Sequence, residues 1–191
     1  MKYHIYIFRH GQTYFNRSHR FTGWMESNLT PLGVRQAKLI AKKLKNKKID
    51  IAFQTPQLRS KKTLKEVLKY HTECKKIITD GRMIERNYGK LNGLYNEEII
   101  RKYGKEQFNK WHRGFNDRPP NGESFADVEK RVGKFIRFLK SYIKENRVNI
   151  AISASGNSIR LFRKIMEKRS KEKAVKWIIP YTEIFHYKIS V

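Results

Sequence analysis

The chain has 191 residues, of which 39% are hydrophobic, and this length and composition suit one domain with a substantial core. No apolar run reaches the roughly 18 residues of a membrane-spanning helix, so none is predicted. The single cysteine, Cys74, excludes an internal disulfide framework. The N-terminus has no signal-peptide pattern, so the expected location is the cytoplasm, with no membrane partner.

The charge balance is strongly basic. Lysines and arginines number 43 against 17 acidic residues, which gives a net charge of +26. Such a surface attracts phosphorylated metabolites and, at low salt, binds polyanions nonspecifically. The basic residues are dispersed along the chain, and only residues 42–48 form a dense cluster. This dispersal favours a generally lysine-rich surface over a dedicated nucleic-acid site.

The predicted elements begin with a strand at residues 3–8. Thr30 as an N-cap and Pro31 at the first helical position predict a helix to about residue 46. The apolar face of this helix is expected to carry Leu32, Ala37, Ile40, Ala41 and Leu44. A second strand follows at residues 49–53, and Thr55-Pro56 repeats the signal that starts a helix. A short third strand is predicted at 76–79.

In the second half of the chain, Ser124 and Asp127 resemble a capping box. The remaining predicted elements are helices at 96–103, 105–113 and 124–145, strands at 148–153 and 183–190, and a helix from about 157. The strand at 148–153 is apolar and β-branched, as in a buried parallel strand. Alternating strands and helices predict an α/β fold, a three-layer α/β/α sandwich with a mostly parallel sheet, formed by residues 1–191 as one domain.

The tripeptide Arg9-His10-Gly11 lies where the first strand ends. Ligands of open α/β sheets gather at the carboxyl ends of strands, so we expect a reactive site there. Arg9 and Arg59 can clamp a phosphoryl group while the neutral imidazole of His10 attacks phosphorus. Both cations should lower the pKa of His10 and keep the ring neutral. The strand at 148–153 brings further residues to the same sheet edge, namely Ser155, Gly156 and Asn157.

Ordered motifs surround these residues along the chain. They are Asn16, Phe21-Thr22-Gly23-Trp24, Leu29-Thr30-Pro31-Leu32-Gly33, Thr55-Pro56-Gln57-Leu58-Arg59 and Glu85-Arg86-Asn87-Tyr88-Gly89. Because of these motifs, the chain resembles the histidine phosphatase superfamily and, within it, the cofactor-dependent phosphoglycerate mutases. The resemblance extends from residue 3 to about residue 188. The resemblance implies interconversion of 3- and 2-phosphoglycerate through a phosphohistidine at His10, primed by 2,3-bisphosphoglycerate. It also implies a homodimer or tetramer.

The resemblance carries roles over to matching positions. Glu85 is expected to act as general acid and base. The expected substrate contacts are Asn16, Thr22, Gly23, Arg86, Tyr88, His112, Arg113, Ser155, Gly156 and Asn157. No metal is implied, because the sequence has neither a His/Cys ligand set nor an evident paired-carboxylate site.

Several positions depart from the mutase pattern. Ser155 stands where the family has a second histidine, and losing one donor at a developing anion costs roughly 10²–10³ in rate. Asn96 stands where the mutases usually carry a lysine, and His112 replaces the first of two arginines. The chain also stops at Val191, directly after its last predicted strand, where mutases continue into a tail. We therefore expect slowed chemistry at His10.

Three functions remain open from the sequence. The first is a phosphoglycerate mutase, favoured by the motif at 85–89 and by the segment Gly156–Arg160. The second is a phosphomonoesterase of the same fold, which the fewer cations and the missing tail favour, since a phosphatase admits water to its phosphohistidine. The third is a catalytically silent protein that binds phosphate or polyanions. The basic surface and Ser155 favour this alternative.

Overall fold

The computed structural model describes residues 1–191, and a five-stranded sheet lies at its centre. The strands are β1 (Lys2–Arg9), β2 (Ile51–Gln54), β3 (Lys76–Thr79), β4 (Ile150–Ala154) and β5 (Ile184–Ser190). Their order in the sheet is β3-β2-β4-β1-β5. Every neighbouring pair is parallel except β1 with β5, which is antiparallel. The predicted α/β fold with a mostly parallel sheet is confirmed.

Helices cover both faces of this sheet. They are α1 (Tyr14–Arg17), α2 (Pro31–Leu44), α3 (Leu58–Leu68), α4 (Asn96–Arg113), α5 (Phe125–Asn146), α6 (Gly156–Met166) and α7 (Lys171–Lys176). Phe8 of β1 packs in a buried cluster with α2 and α3, whereas its neighbour Ile7 packs in the cluster of α5 and α6. Successive side chains of a strand point to opposite faces, so β1 contributes to both hydrophobic layers. None of the helices is long and apolar enough to cross a membrane.

The predicted helix start is confirmed for α2 and wrong for α3. Thr30 caps α2 by accepting a hydrogen bond from the Gly33 N–H, as predicted, although Leu32 is 41% exposed and lies outside the buried face. The predicted start of α3 at Thr55-Pro56 was wrong. The Thr55 hydroxyl has no hydrogen-bond partner, and the helix begins at Leu58.

In the second half, α5 has the predicted capping box between Ser124 and Asp127. The two predicted helices at 96–103 and 105–113 are joined as α4 across a kink at Gly104, whose φ of 81° is a left-handed conformation that glycine tolerates. β4 begins at Ile150 and runs to Ala154, which places Ser155 at the N-cap of α6. The carboxyl ends of β1 and β4 therefore open onto one edge of the sheet, next to the start of α6.

Candidate active site

A cavity of about 300 Å³ opens at this edge of the sheet. All of the predicted site residues except Arg86 and Ser155 line it: Arg9, His10, Asn16, Thr22, Gly23, Arg59, Glu85, Tyr88, His112, Arg113, Gly156 and Asn157. Binding cavities in proteins start at about this volume, so the site suits a small ligand. The lining is polar and contains a single acidic side chain, Glu85.

His10 lies at the floor of the cavity and is only 2% exposed. Its Nδ1 is 2.8 Å from the carbonyl oxygen of Gly11. A carbonyl can only accept, so Nδ1 carries the proton and Nε2 keeps a free lone pair. The pKa of His10 is well below its ordinary value, first because of burial and then because of the Arg59 and Arg9 charges. The ring is therefore neutral, and its tautomer is fixed.

Two arginines flank His10, and each is held by backbone carbonyls. Arg59 donates hydrogen bonds of 2.8 and 2.9 Å to carbonyl oxygens of residues 23 and 25. Arg9 donates to the Ile179 carbonyl at 3.0 Å, and its guanidinium lies 4.1 Å from the centre of the Tyr181 ring. The Nε of each arginine is buried without a partner. Both guanidinium groups are thus held in place by backbone carbonyls at the wall of the cavity.

Glu85 is 9% exposed, and its carboxylate accepts a 2.7 Å hydrogen bond from the backbone N–H of Arg86. Its backbone carbonyl accepts from Trp24 Nε1 at 2.8 Å and from Arg131 at 3.1 Å. These contacts fix the backbone of residue 85 on both sides. Glu85 is the only carboxyl group of the lining.

The cavity is crowded with cations. Its arginines are Arg9, Arg20, Arg59, Arg113 and Arg160. Burial lowers the pKa of Arg59 and Arg113 and brings that of Arg160 to about 9, where the Arg113 charge adds to the effect. The guanidinium groups still carry their charge at neutral pH, so an anion in the cavity would relieve both their desolvation and their repulsion.

His112 does not supply the positive charge of the arginine that the mutases have at this position. Burial, followed by the charges of Arg113 and Arg86, lowers its pKa to about 3, so the ring is neutral at physiological pH. It packs against aromatic rings, with centroids 5.5 Å from Phe21 and 5.1 Å from Phe108. This side of the cavity therefore has one permanent cation from the 112–113 pair.

Arg86 was predicted to contact substrate, but it lies beneath the cavity with no exposed surface. Its Nη2 donates to the carbonyl of Trp111 at 2.5 Å and to that of His112 at 3.3 Å. The guanidinium is also 4.2 Å from the Phe125 ring centroid. In this structure Arg86 anchors the end of α4 and does not line the cavity.

Ser155 is also fully buried and outside the lining. Its hydroxyl donates to Gln57 Oε1 at 3.3 Å, and Gln57 in turn donates to the Gly23 carbonyl at 2.9 Å. A serine has a single O–H donor, and here it points to Gln57. Position 155 therefore adds no donor to the cavity.

Sequence reasoning missed several lining residues: His19, Arg20, Phe21, Asn96, Arg160, Ile178, Ile179 and Tyr181. Arg160 could have been found, because it lies three residues after Asn157 on α6 and so shares its helical face. Its guanidinium is hydrogen-bonded to the Asn157 amide and, at 2.7 Å, to the Trp177 carbonyl. No local pattern marks the 178–181 loop. The structure also groups no three histidine, cysteine or acidic side chains that could hold a metal ion.

Comparison with protein families gives a match to the histidine phosphatase superfamily (branch 1) over residues 5–190. The chain belongs to this superfamily. It is 31% identical to a 2,3-bisphosphoglycerate-dependent phosphoglycerate mutase of Pseudoalteromonas atlantica, over 85% of this chain and 83% of that protein. It is 36% identical to the mutase of the same name from Cytophaga hutchinsonii, over 88% and 79%. These findings confirm the predicted resemblance and the prediction of an enzyme.

Solved structures agree on the fold of this histidine phosphatase superfamily member. Bacillus stearothermophilus YhfR superposes with a TM-score of 0.84 at 22% identity, over 96% of this chain and 89% of that chain. Mycobacterial glucosyl-3-phosphoglycerate phosphatase superposes with a TM-score of 0.79 at 22% identity, over 92% and 84%. At this level of identity the likeness is one of fold.

Proposed function

We propose that this protein interconverts 3- and 2-phosphoglycerate through a phosphohistidine at His10. The observation that carries the proposal is the state of the His10 ring, which is buried, neutral and hydrogen-bonded through Nδ1, with Nε2 free beside Arg9 and Arg59. The mutases that are 31–36% identical over most of the chain support this choice of reaction. A small cavity with five arginines and one carboxylate also suits a compact, multiply charged phosphate ester.

In the first step Nε2 of His10 forms a bond to phosphorus while the bond from phosphorus to the ester oxygen breaks. The departing oxygen takes a proton from Glu85, which later removes a proton from the hydroxyl that receives the phosphoryl group. The Nδ1–H bond to Gly11 stabilises the positive charge that the ring gains on phosphorylation. Arg9 and Arg59 offset the charge of the equatorial phosphoryl oxygens, the main electrostatic requirement of such transfers.

The lining fits 2,3-bisphosphoglycerate as the priming compound. Five arginines line the cavity, and guanidinium N–H groups are strong donors to anionic oxygens. When bound, 2,3-bisphosphoglycerate supplies the phosphoryl group that loads His10. Arg9 and Arg59 would hold the phosphate next to the ring, and Arg113 and Arg160 would face the rest of the molecule.

A kinetic assay tests this reaction directly. The protein is offered 3-phosphoglycerate with and without 2,3-bisphosphoglycerate, and both 2-phosphoglycerate and inorganic phosphate are followed. We expect 2-phosphoglycerate to form at a rate that rises with 2,3-bisphosphoglycerate, and His10→Ala to abolish it. Formation of inorganic phosphate alone would contradict mutase activity.

The second candidate is a phosphomonoesterase that uses the same phosphohistidine. Three observations favour it over a mutase: the Ser155 hydroxyl donates to Gln57, His112 is neutral with a pKa of about 3, and Asn96 carries no charge. Because residues 96 and 112 carry no charge, the cavity holds the substrate less tightly between the two transfers of the phosphoryl group. The assay above separates the candidates, since a phosphatase releases phosphate without exchanging isomers.

A further inference from the structure

Residues 175–179, called the strap below, run from the end of α7 into the loop that lines the cavity. Exposure alternates along the strap. The side chains of Val175, Trp177 and Ile179 pack in or against the larger core cluster, whereas the residues between them are exposed. Every second residue therefore anchors the strap to the core.

The same three residues hold arginines of the cavity through their backbone. Each of the three carbonyl oxygens accepts a hydrogen bond from an arginine that lines the cavity. The pairs are Val175 with Arg113 at 3.1 Å, Trp177 with Arg160 at 2.7 Å, and Ile179 with Arg9 at 3.0 Å. Buried cations need such partners, because they have lost much of their hydration. The strap thus connects the core to three of the five cavity arginines.

Trp177 is restrained at three points. Its N–H donates to the carbonyl of Ala174 at 3.2 Å, and its carbonyl accepts from Nε of Arg160. Its indole ring lies 4.1 Å from Cζ of Arg163. Trp177 itself does not line the cavity. A change to the ring can therefore reach a bound ligand only through its neighbours, of which Arg160 is the one that lines the cavity.

The stacking partner of the ring is itself fixed. Arg163 donates to Glu167 at 2.9 Å, and its guanidinium also lies 4.3 Å from the Phe185 ring centroid. Arg163 and Arg160 are three residues apart on α6, so they project from neighbouring positions of the helix. One of these arginines contacts the ring of Trp177 and the other contacts its carbonyl.

Arg160 has one nitrogen left for a ligand. Nε donates to Trp177 and Nη1 donates to the Asn157 amide oxygen, whereas Nη2 has no protein partner and keeps exposed surface. A guanidinium is planar and rigid, so fixing two of its nitrogens sets the direction of the third. The contact with Trp177 therefore determines where Nη2 points.

We propose that Trp177 is a positioning residue that directs Arg160 toward the part of the ligand that is not transferred. The inference rests on the proposed function, and the ligand class is a phosphorylated hydroxy acid. Arg160 is charged with or without the indole ring, so Trp177 contributes direction and no charge. Removing the ring should therefore weaken binding while the charge of the cavity stays the same.

Binding to protein that cannot react tests this role. In a His10→Ala background, titration calorimetry measures the affinity for 3-phosphoglycerate. Trp177→Ala should weaken binding by about 10-fold, as expected when one charge-assisted hydrogen bond is misdirected. Trp177→Phe keeps a ring on which Arg163 can stack, and its affinity should stay within about threefold of the parent.

Tyr142→Ala is the matched control. Tyr142 is another half-buried aromatic residue packed against the same core cluster, and it does not line the cavity. Thermal unfolding records the loss of stability in both variants, and the affinity of Tyr142→Ala should be unchanged. Equal losses of affinity in the two variants would overturn the proposal, because a loosened core would then explain both.

A double-mutant cycle separates positioning from a general loss of packing. Arg160→Met removes the guanidinium and should weaken binding by about 10- to 100-fold. In that background Trp177→Ala should change the affinity by less than about twofold, because no guanidinium is left to direct. Additive losses would overturn the proposal.

A further variant keeps both members of the pair. Arg163→Met removes the cation that stacks on the indole ring and should weaken binding by about threefold, in line with the energy of a cation–π contact. An unchanged affinity would overturn the proposal, even if Trp177→Ala fails to fold.

The failure of this inference and that of the proposed function can be told apart. Phosphorylation of His10 in the wild-type protein is scored separately from the binding of 3-phosphoglycerate. If His10 is phosphorylated but Trp177→Ala binds 3-phosphoglycerate normally, the positioning role is wrong and the function stands. If wild-type His10 is never phosphorylated, the proposed function fails whatever the binding result. If the His10→Ala protein does not bind 3-phosphoglycerate at all, the positioning role fails as well.

Discussion

The two central parallel strands, β1 and β4, end side by side with Arg9 paired to Ala154, yet they deliver different groups to the cavity. β1 leads into His10, whose free Nε2 lies in the lining. β4 leads into Ser155, which is fully buried and donates its hydroxyl proton to Gln57. The proposed nucleophile is in place, whereas residue 155, where the family has a second histidine, contributes no donor to the cavity. The contrast predicts that His10 can be phosphorylated but that transfer is slow.

The largest effect should come from the β1 side. His10→Ala removes the proposed nucleophile and should lower kcat by roughly 10⁴-fold or more. Steady-state kinetics with 3-phosphoglycerate measures this, and thermal unfolding checks that the variant folds. Retention of a tenth of the wild-type rate would mean that another group receives the phosphoryl group.

The second-largest loss of kcat should come from a change at Arg59. Arg59→Lys keeps the charge but cannot hold two carbonyls and a phosphoryl oxygen at once, so kcat should fall by about 10²–10³-fold. The control is Lys61→Met, which removes an exposed cation of the same helix and should leave kcat unchanged. Similar losses in the two variants would indicate that only overall charge matters, against a specific clamp at Arg59.

The β4 side gives a smaller effect with a distinctive pattern. Ser155→Ala should change kcat by less than about threefold, because the hydroxyl points away from the cavity and its loss removes only a weak bond. Gln57 Oε1 lies 3.3 Å from the Ser155 hydroxyl, in the path of a longer side chain. Ser155→His combined with Gln57→Ser should therefore raise kcat by up to about 10²-fold, more than Ser155→His alone. No gain in the double variant would show that position 155 does not limit the rate.

The smallest predicted effect concerns stability and pH. His112 has a folded-state pKa of about 3 against an ordinary value of 6.5, so below pH 6.5 the unfolded chain binds a proton that the folded chain does not. The free energy of unfolding should therefore fall as the pH drops through this window. Between pH 7.5 and 5 the His112 share of that loss is on the order of 1–2 kcal/mol.

Urea unfolding of the wild type and of His112→Gln at both pH values measures this share. The variant should lose less stability on acidification, although its own stability at pH 7.5 differs through altered packing with Phe21 and Phe108. His10 remains in both proteins and shifts in the same direction, so it cancels in the comparison. An identical pH dependence in the two proteins would contradict a buried neutral ring at residue 112.

Predictions from sequence succeeded where a local pattern determines structure. The Thr30-Pro31 cap, the capping box at Ser124 and the apolar strand before Ser155 were read correctly, because each depends on neighbouring residues. Thr55-Pro56 has the same pattern as Thr30-Pro31 but failed. There the side chain of Ser60 accepts from the Thr55 N–H at 3.0 Å, and the chain turns into the helix later.

The site was predictable to the extent that strand ends and family motifs mark it. The burial of Arg86 and Ser155 outside the cavity could not be predicted, because it depends on partners far along the chain, such as Trp111 and Gln57. Arg20 was missed for the same reason, because its place in the lining depends on the distant Tyr95 ring. Long-range packing decides which polar residues of a motif face the ligand.

The most direct test of the central claim is to look for phosphate on His10. The protein is incubated with 2,3-bisphosphoglycerate carrying labelled phosphate, quenched, and treated with acid or base before the labelled peptide is mapped. The proposal predicts an acid-labile, base-stable label on the peptide containing His10, and no label on His10→Ala. An unlabelled wild-type protein, or a label that survives the substitution, would contradict a phosphohistidine at this residue.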